Sequence, residues 1–381
     1  MSTATEGTML AAVYHGRRDV RVENVPVVEA RTGELLLEVA TVGVCGTDAA
    51  EWSKGAAQYP VDRPHAVTGH HGPIVIGHEF SGRVVDVGEG VDPSWLDALV
   101  ASCGALPCGD CPECAAGRTN RCRRYAAIGL HRDGAMTRFV SVPAKSCVRV
   151  DHLGLSADEA ALGQPLAIAV HAARRSGIMA PERAVVFGVG GIGAFLVHVL
   201  VQWRIDVTAV DLDAERLQVA TELGAARTVL AGTDDDAGAI GAAAGAPVEV
   251  VFEVTGSPAG LRNALSLSPT GGRIVLAGLQ KQPLEIELYP VTLGEQTIIG
   301  TNALIRETDF PEAVRLLALR RGGWQIIAPT VLPLSDLVSG ALEPMAAGHS
   351  PAIKLLVDPK AVAARPSQPG RPSPLPPPRE T

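Results

Sequence analysis

Hydrophobic positions change their rhythm twice along the chain. Up to about residue 150, short runs rich in Val and Leu are cut by Gly and Pro, as in residues 11–25 (AAVYHGRRDVRVENV), 34–44 (ELLLEVATVGV) and 81–91 (SGRVVDVGEGV). That pattern predicts antiparallel strands joined by functional loops. Ser156-Ala-Asp-Glu159 is then a capping box, in which the Ser and Glu side chains satisfy each other's exposed amides, so a helix is expected to start there. Pro165 interrupts it. Because proline pushes the preceding residue out of helical geometry, Gln164 is expected at a break, where its side chain can point into a cleft. A second helix should run to Arg175 and stop near Gly177. From Ala184 apolar strands alternate with helices: AVVFG, GIGAFLVHVLVQW, DVTAVD, AERLQVATELGA, then strands at VEVVFEV and GRIVLAG. This is a βαβ series and predicts an α/β doubly wound parallel sheet. After about residue 300 one helix (FPEAVRLLALRRG) and one strand (IKLLVD) remain, and they are expected to pack back on the first domain.

The expected organisation is therefore a mostly antiparallel β domain over residues 1–163, a parallel-sheet domain over 164–302, a return segment over 303–358 and a tail over 359–381. Composition refines this in three ways. With 46% hydrophobic residues in 381, buried cores are affordable for two or three domains. Ala184 to Trp203 carries no formal charge and has the length of a membrane span, but Gly188, Gly190, Gly191 and Gly193 suit a strand, a turn and a buried helix instead. Residues 359–381 hold eight prolines and almost no bulky apolar side chain, which predicts disorder. The balance of 33 Lys+Arg against 41 Asp+Glu, a formal charge of −8, argues against a nucleic-acid partner.

Four of the seven cysteines fall within one short loop, spaced Cys108-x2-Cys111-x2-Cys114-x7-Cys122. A tetrahedral zinc ion takes four thiolates from such a loop without help from the rest of the fold, so the segment of about residues 103–123 reads as a structural zinc clip. Disulfides are the competing reading. The first thirty residues lack the charged start and apolar core of a secretion signal, so a reducing cytoplasm is expected. An iron-sulfur site would continue Cys-x3-Cys-Pro, whereas seven residues precede Cys122 and Arg123 follows it.

Gly188-Val-Gly190-Gly191-Ile192-Gly193 follows an apolar strand and opens an apolar helix, the context of a dinucleotide-binding turn. Gly188 permits the tight turn, Gly190 lets backbone approach a pyrophosphate, and Gly193 brings helix close to strand. Asp211 ends the next strand, where a carboxylate accepts hydrogen bonds from a ribose. With Asp213 behind it, it would repel a 2′-phosphate, so NAD is expected over NADP, and Arg216 joins the expected cofactor set. The competing reading is a helix merely packed on a sheet with a solvated acid at its edge.

Cys45 (in GVCGTD) and His78-Glu79 (in VIGHEF) lie far from the cysteine loop and supply a thiolate, an imidazole and a carboxylate. Three protein ligands with one open position are the arrangement of a catalytic zinc acting as a Lewis acid. Singly, each has a plainer reading as a buried thiol or a hydrogen-bonded turn.

GVCGTD, GHEFSGRVVDVGEGV, CGDCPECAAGRTNRC, QPLAIAVHA and the Gly-rich turn with Asp211 together resemble the zinc-dependent medium-chain alcohol dehydrogenases, over roughly residues 9 to 357. Residues 125–134 and the run to His171-Ala-Ala-Arg-Arg resemble the sorbitol, threonine and butanediol dehydrogenase branch. The resemblance implies a GroES-like catalytic domain beside a Rossmann domain with the active site between them, two zinc ions per subunit, and NAD-linked oxidation of a secondary alcohol. It assigns Cys45, His78 and Glu79 to the catalytic zinc, Thr47 to the proton relay, and a homodimer or homotetramer to the region LEIELYPVTLGEQTIIGT. Two departures stand out. Gln164 occupies a position where the branch usually has Glu, and is expected either as a zinc ligand or as a hydrogen-bonding group beside one. Ala50 occupies a position where many relatives have a relay histidine, leaving Glu51, His70, His71 or water to pass the proton on. A small diol, polyol, cyclitol or hydroxy-ketone is the expected substrate. A reductase of imines or activated double bonds, and a zinc-clipped NAD-binding regulatory protein without turnover, are the alternatives.

Overall fold

The computed structural model describes residues 7–232, 237–245, 247–280 and 282–371. The chain divides into two compact units, one holding residues up to Gln164 together with those from Ile305 onward, the other running Pro165–Leu304.

In the first unit the runs cut by Gly and Pro form strands. Thr8–Gly16 and Asp19–Pro26 pair as an antiparallel hairpin. The strand Glu34–Val44 is the centre of the larger sheet, in the order Cys147–Arg149, Leu99–Ser102, Glu79–Val87, Glu34–Val44, Leu355–Asp358, Thr330–Pro333, Arg365–Pro366, with Phe139–Pro143 also on the central strand. Nine of its eleven residues are buried, so its near-continuous apolar run reflects cover on both faces rather than one wet face. Leu35, Leu37, Val39, Val42, Phe80, Val84 and Val100 meet in one core. Val357 carries the return segment into that same core, through antiparallel pairing of Leu355–Asp358 with the central strand.

In the second unit six parallel strands stand in the order Arg227–Leu230, Asp206–Asp211, Arg183–Phe187, Val250–Glu253, Arg273–Leu276, Thr297–Gly300. This is the doubly wound Rossmann order, with crossover helices such as Gly193–Gln202 and Ala214–Glu222. The uncharged stretch from Ala184 is a strand, a turn and a helix, and among the described residues no helix is long and apolar enough to cross a membrane.

Two expectations are corrected. The capping box forms: Ser156 Oγ accepts from the Glu159 N–H at 3.1 Å, and Glu159 Oε2 accepts from the Ser156 N–H at 3.2 Å. Its helix ends at Ala160, and the next runs Gly163–Ser176, so the break precedes Gln164 instead of falling on it. Pro165 lies in the first turn, where no N–H is needed for the helical ladder.

The second correction concerns residues 359–371 of the tail. Arg365–Pro366 pairs antiparallel with Thr330–Pro333, and Arg365 Nη1 and Nη2 donate to Asp158 at 2.7 and 3.0 Å. Asp158 is buried, and it also accepts from Thr41 Oγ1 at 2.5 Å and from the Gln368 N–H at 2.7 Å. Composition predicts disorder because the segment has little apolar surface to bury. What holds it is a buried carboxylate that needs partners. The remaining expected disorder, over residues 372–381, lies outside the described residues.

Candidate active site and zinc clip

Cys45 sits at the end of the central strand as the N-cap of the helix Gly46–Lys54. His78 and Glu79 enter the neighbouring strand, which pairs Gly43 with Glu79. Adjacent strands thus bring together residues thirty-three positions apart: ligand atoms of Cys45, His78 and Glu79 all lie within 4.8 Å of one another.

The surroundings demand a cation. His78 is buried, which opposes its charge, yet Asp48, Cys45 and Glu79 outweigh burial and push its pKa up to about 10. Its Nδ1 lies 3.6 Å from Asp48 Oδ1 without a hydrogen-bond partner. Asp48 is itself held by the Cys45 N–H at 2.9 Å and the Tyr59 hydroxyl at 2.7 Å, so its carboxylate has a fixed orientation behind the imidazole. A thiolate, an imidazole backed by a carboxylate, and a buried Glu are a donor set that fits zinc.

Lys354 completes the pocket. Both it and Glu79 are buried, and its ammonium makes an ion pair with Glu79 Oε2 that is not an aligned hydrogen bond. The raised pKa of Lys354 arises because Glu79, Cys45 and Asp48 overcome its desolvation. A Cβ at Gly43 would stand 2.3 Å from Glu79 Oε2 and 3.2 Å from Lys354 Cε, so the glycine makes room for the pair. No short motif marks Lys354, which stands just before the strand Leu355–Asp358. Asp48 was visible in GVCGTD but has no ligand spacing.

Thr47 lies in the first turn of the Cys45-capped helix, half-buried, with its hydroxyl engaged by no other group of the described residues. Gln164 is half-buried in the first turn of Gly163–Ser176, and its Oε1 is buried without a partner. Of the groups considered in place of a histidine at Ala50, Glu51 is buried and engaged elsewhere. Its carboxylate accepts N–H groups from Ala57, Gln58 and Tyr59 at 2.8 to 3.3 Å and holds that loop. His70 Nε2 bonds the Pro73 carbonyl oxygen at 3.1 Å, and His71 is exposed.

Cys108, Cys111, Cys114 and Cys122 likewise gather within 4.8 Å, with Sγ separations of 3.4 Å (108–122), 3.9 Å (111–122) and 4.0 Å (108–114), and form no disulfide. Four thiolates about 2.3 Å from a tetrahedral zinc stand roughly 3.8 Å apart, so the cradle has the right size. Cys122 Sγ accepts N–H groups from Cys108 and Arg124, both at 3.3 Å. Thr119 ties the loop to Glu307 at 2.7 Å.

In the second unit the Gly-rich turn is tight. Gly188 has φ +94°, and a Cβ at Gly193 would lie 1.7 Å from the Gly188 carbonyl oxygen. Ile192 caps the helix Gly193–Gln202, and Gly191 stands just before it in the turn. Asp211 Oδ2 accepts the Val189 N–H at 2.6 Å and Oδ1 the Asp213 N–H at 3.0 Å, which orients the carboxylate beside the turn and leaves lone pairs for a further donor. Arg216 Nη1 lies 3.9 Å from where a Gly190 Cβ would be, and its Nε is 3.7 Å from Asp213 Oδ2.

Two family models match in order: the alcohol dehydrogenase GroES-like domain over residues 31–152 and the zinc-binding dehydrogenase over residues 191–318. The chain is similar to (R,R)-butanediol dehydrogenase of Bacillus subtilis, 33% identical over 77% of this chain and 84% of that one. Sorbitol dehydrogenase of Gallus gallus is 30% identical over 93% and 98%. The crystal structure of 2R,3R-butanediol dehydrogenase from Bacillus subtilis superposes with a TM-score of 0.84 at 31% identity, covering 92% of this chain and all of that one. Likeness in sequence over most of both chains, and in fold over both units, makes this chain a member of the zinc-type medium-chain alcohol dehydrogenase family.

Proposed function

We propose that the chain reversibly oxidises a small secondary alcohol of diol, polyol, cyclitol or hydroxy-ketone type to the ketone. Cys45, His78 and Glu79 would hold the catalytic zinc, and the Gly188–Gly193 turn with Asp211 and Arg216 would hold NAD. The observation that carries this reading is the convergence of Cys45, His78 and Glu79 on one buried point. When bound, zinc supplies Lewis acidity toward an alcohol and NAD accepts hydride.

The chain's own part is proton handling and electrostatics. Thr47 Oγ1, two residues after Cys45 and without a partner among the described residues, takes the substrate hydroxyl proton. With Ala50 next along and Glu51 committed to its loop, that proton leaves through His71 or water. Asp48 stands 3.6 Å behind His78 Nδ1, where its charge favours an Nδ1–H on that face of the ring. The charges of Cys45, Glu79 and Asp48 are offset by Lys354 and a divalent ion together, so neutral Gln164 leaves the site balanced, with its amide oxygen available as ligand or hydrogen-bond acceptor. Asp211 receives ribose hydroxyls, and with Asp213 disfavours a 2′-phosphate. The four-cysteine zinc is a clip.

Homo-oligomerisation belongs to the same reading. Leu288, Tyr289 and Leu293 are 64%, 75% and 65% exposed beside the edge strand Thr297–Gly300, a patch and a free edge that a second copy would cover. A reducing cytoplasm would keep the thiolates available.

The test is metal analysis combined with NADH formation across a panel of secondary alcohols. Two zinc ions per chain with turnover of a diol or polyol is the expected result. Reduction of imines or activated double bonds without alcohol oxidation would replace this reading with the reductase alternative, and no turnover of either class would leave the regulatory one.

A further inference from the structure

The strand pair that brings Cys45 to His78 and Glu79 does not keep one register. On the central strand Glu34–Val44 and its neighbour Glu79–Val87, Glu38 faces Arg83 and Val39 faces Gly82, whereas Thr41 faces Ser81 and Gly43 faces Glu79. Ala40 is therefore an extra residue, a β-bulge. The meeting of Cys45 with His78 and Glu79 depends on that shift. Were the bulge to slide past Gly43, Val42 would stand opposite Glu79, and the carboxylate would lose the space that the missing Gly43 side chain leaves for it and Lys354. Hydrophobic pattern alone does not choose between the two registers, because the central strand is apolar on both faces.

Polar contacts do choose. Thr41 and Ser81 are the first cross-strand pair beyond the bulge, and both are buried. Directly opposed residues present their side chains to the same sheet face, and here one short helix, Ala157–Ala160, takes both hydroxyls. Thr41 Oγ1 donates to Asp158 Oδ1 at 2.5 Å, and Ser81 Oγ donates to the Ala157 carbonyl at 2.7 Å. The C-terminal strap, residues 359–371, fixes that grip. Arg365 donates to both oxygens of Asp158, the Gln368 N–H adds a bond of 2.7 Å, and Ser156 Oγ donates to the Gln368 carbonyl at 2.6 Å. Arg365 Nη2 also reaches Asp358 Oδ2 at 3.3 Å, at the end of the strand that follows Lys354 and pairs Leu355 with Val44 and Val357 with Val42. One guanidinium thus links, directly or through Asp158 and its helix, the three strands that lead to Cys45, Glu79 and Lys354.

We propose that Arg365, acting through Asp158, is a positioning residue for the Cys45–His78–Glu79 site: the strap locks the bulged register and so sets how tightly that site holds its metal. This rests on the zinc assignment above and adds a control that lies outside the metal's own surroundings.

The test uses the full-length zinc protein and its variants Arg365→Gln and Thr41→Val, with Arg365→Lys and Thr41→Ser as conservative partners. A zinc-binding dye competes for the metal, and the ion lost in Cys45→Ser identifies the site in question. Its affinity should fall about tenfold in Arg365→Gln and Thr41→Val. It should stay near wild type in Thr41→Ser, which keeps the hydroxyl, and lie between in Arg365→Lys, because an ammonium lacks the fork that spans both Asp158 oxygens. The four-cysteine site is the internal reference and should be unchanged. With cobalt(II) in place of zinc, the visible bands of the Cys45 site should shift in the same two variants. Equal weakening of both sites, or of neither, would overturn the proposal. Independently of metal, amide hydrogen exchange of the metal-free chains should quicken over residues 41–45 and 78–81 in both variants and hold over 34–39, before the bulge. Equal acceleration on the two sides of the bulge, or none, would also overturn it. If Cys45→Ser removes no zinc, the metal reading itself fails, and the exchange pattern alone judges the lock.

Discussion

Glu79 is buried against Lys354, and the geometry of that pair depends on the missing side chain of Gly43. Replacing Lys354 by Met leaves a carboxylate uncompensated in the core, and breaking a buried pair from one side costs about 3–5 kcal/mol. Urea denaturation of metal-free Lys354→Met against metal-free wild type should show a loss of that order. Gly43→Ala should push the Glu79 carboxylate away from Cys45 and His78. Its zinc content should fall from two ions per chain toward one, with the four-cysteine site still filled. Gln164 calls for a different measurement, because its amide oxygen lies buried without a partner. Gln164→Glu adds a negative charge beside the metal, which disfavours loss of a substrate proton, so the alkaline-rising limb of the turnover profile should move to higher pH. An unmoved profile and unchanged zinc content would remove Gln164 from the site. Cys45, His78 and Glu79 were legible as a donor set because metal chemistry restricts residue type. Lys354 was not legible, since a lone Lys before an apolar strand has no chemical signature until its neighbour across the sheet is known.

At the scale of elements, the C-terminal strap and the cysteine loop are held by polar contacts more than by apolar burial. Arg365, Thr41 and the Gln368 amide satisfy Asp158. Burial alone would raise the pKa of Asp158, but the Arg365 and Thr41 hydrogen bonds outweigh it and hold the carboxyl below its ordinary 3.8. A depressed carboxylate contributes stability that is whole above the unfolded value and is lost as pH falls through the folded one. Asp158→Asn should therefore flatten the fall of stability below about pH 4 while lowering stability at neutral pH. Truncation after Asp358 should destabilise by about 2–3 kcal/mol, as expected for a buried charge that loses its partners, with Arg365 being partly exposed. Thermal unfolding of the truncated chain at pH 7 checks this. Cys111→Ser should abolish one zinc ion and loosen the loop that Thr119 ties to Glu307, read as faster proteolysis within residues 103–123. The proline-rich composition was a poor guide to residues 359–371, because it measures apolar surface and says nothing about a distant buried acid.

For the whole molecule, the division into an antiparallel unit and a parallel one was written in the change of hydrophobic rhythm, because sheets covered on both faces or joined by crossover helices need different runs of apolar residues. The Gly-rich turn and Asp211 could be placed from sequence for the same reason: only glycine meets the Gly188 φ of +94° and the closeness of Gly193 to the Gly188 carbonyl. Residue chemistry and local periodicity thus determined the fold class, the loop that gathers four cysteines and the tight Gly-rich turn. Tertiary structure alone decided which charges meet. It set Lys354 on Glu79, Arg365 on Asp158 and Asp48 behind His78, spent Glu51 on a loop, and stacked His65 on His131. Local pattern depends on neighbours a few residues away, whereas partners for buried polar groups are recruited from wherever the chain returns.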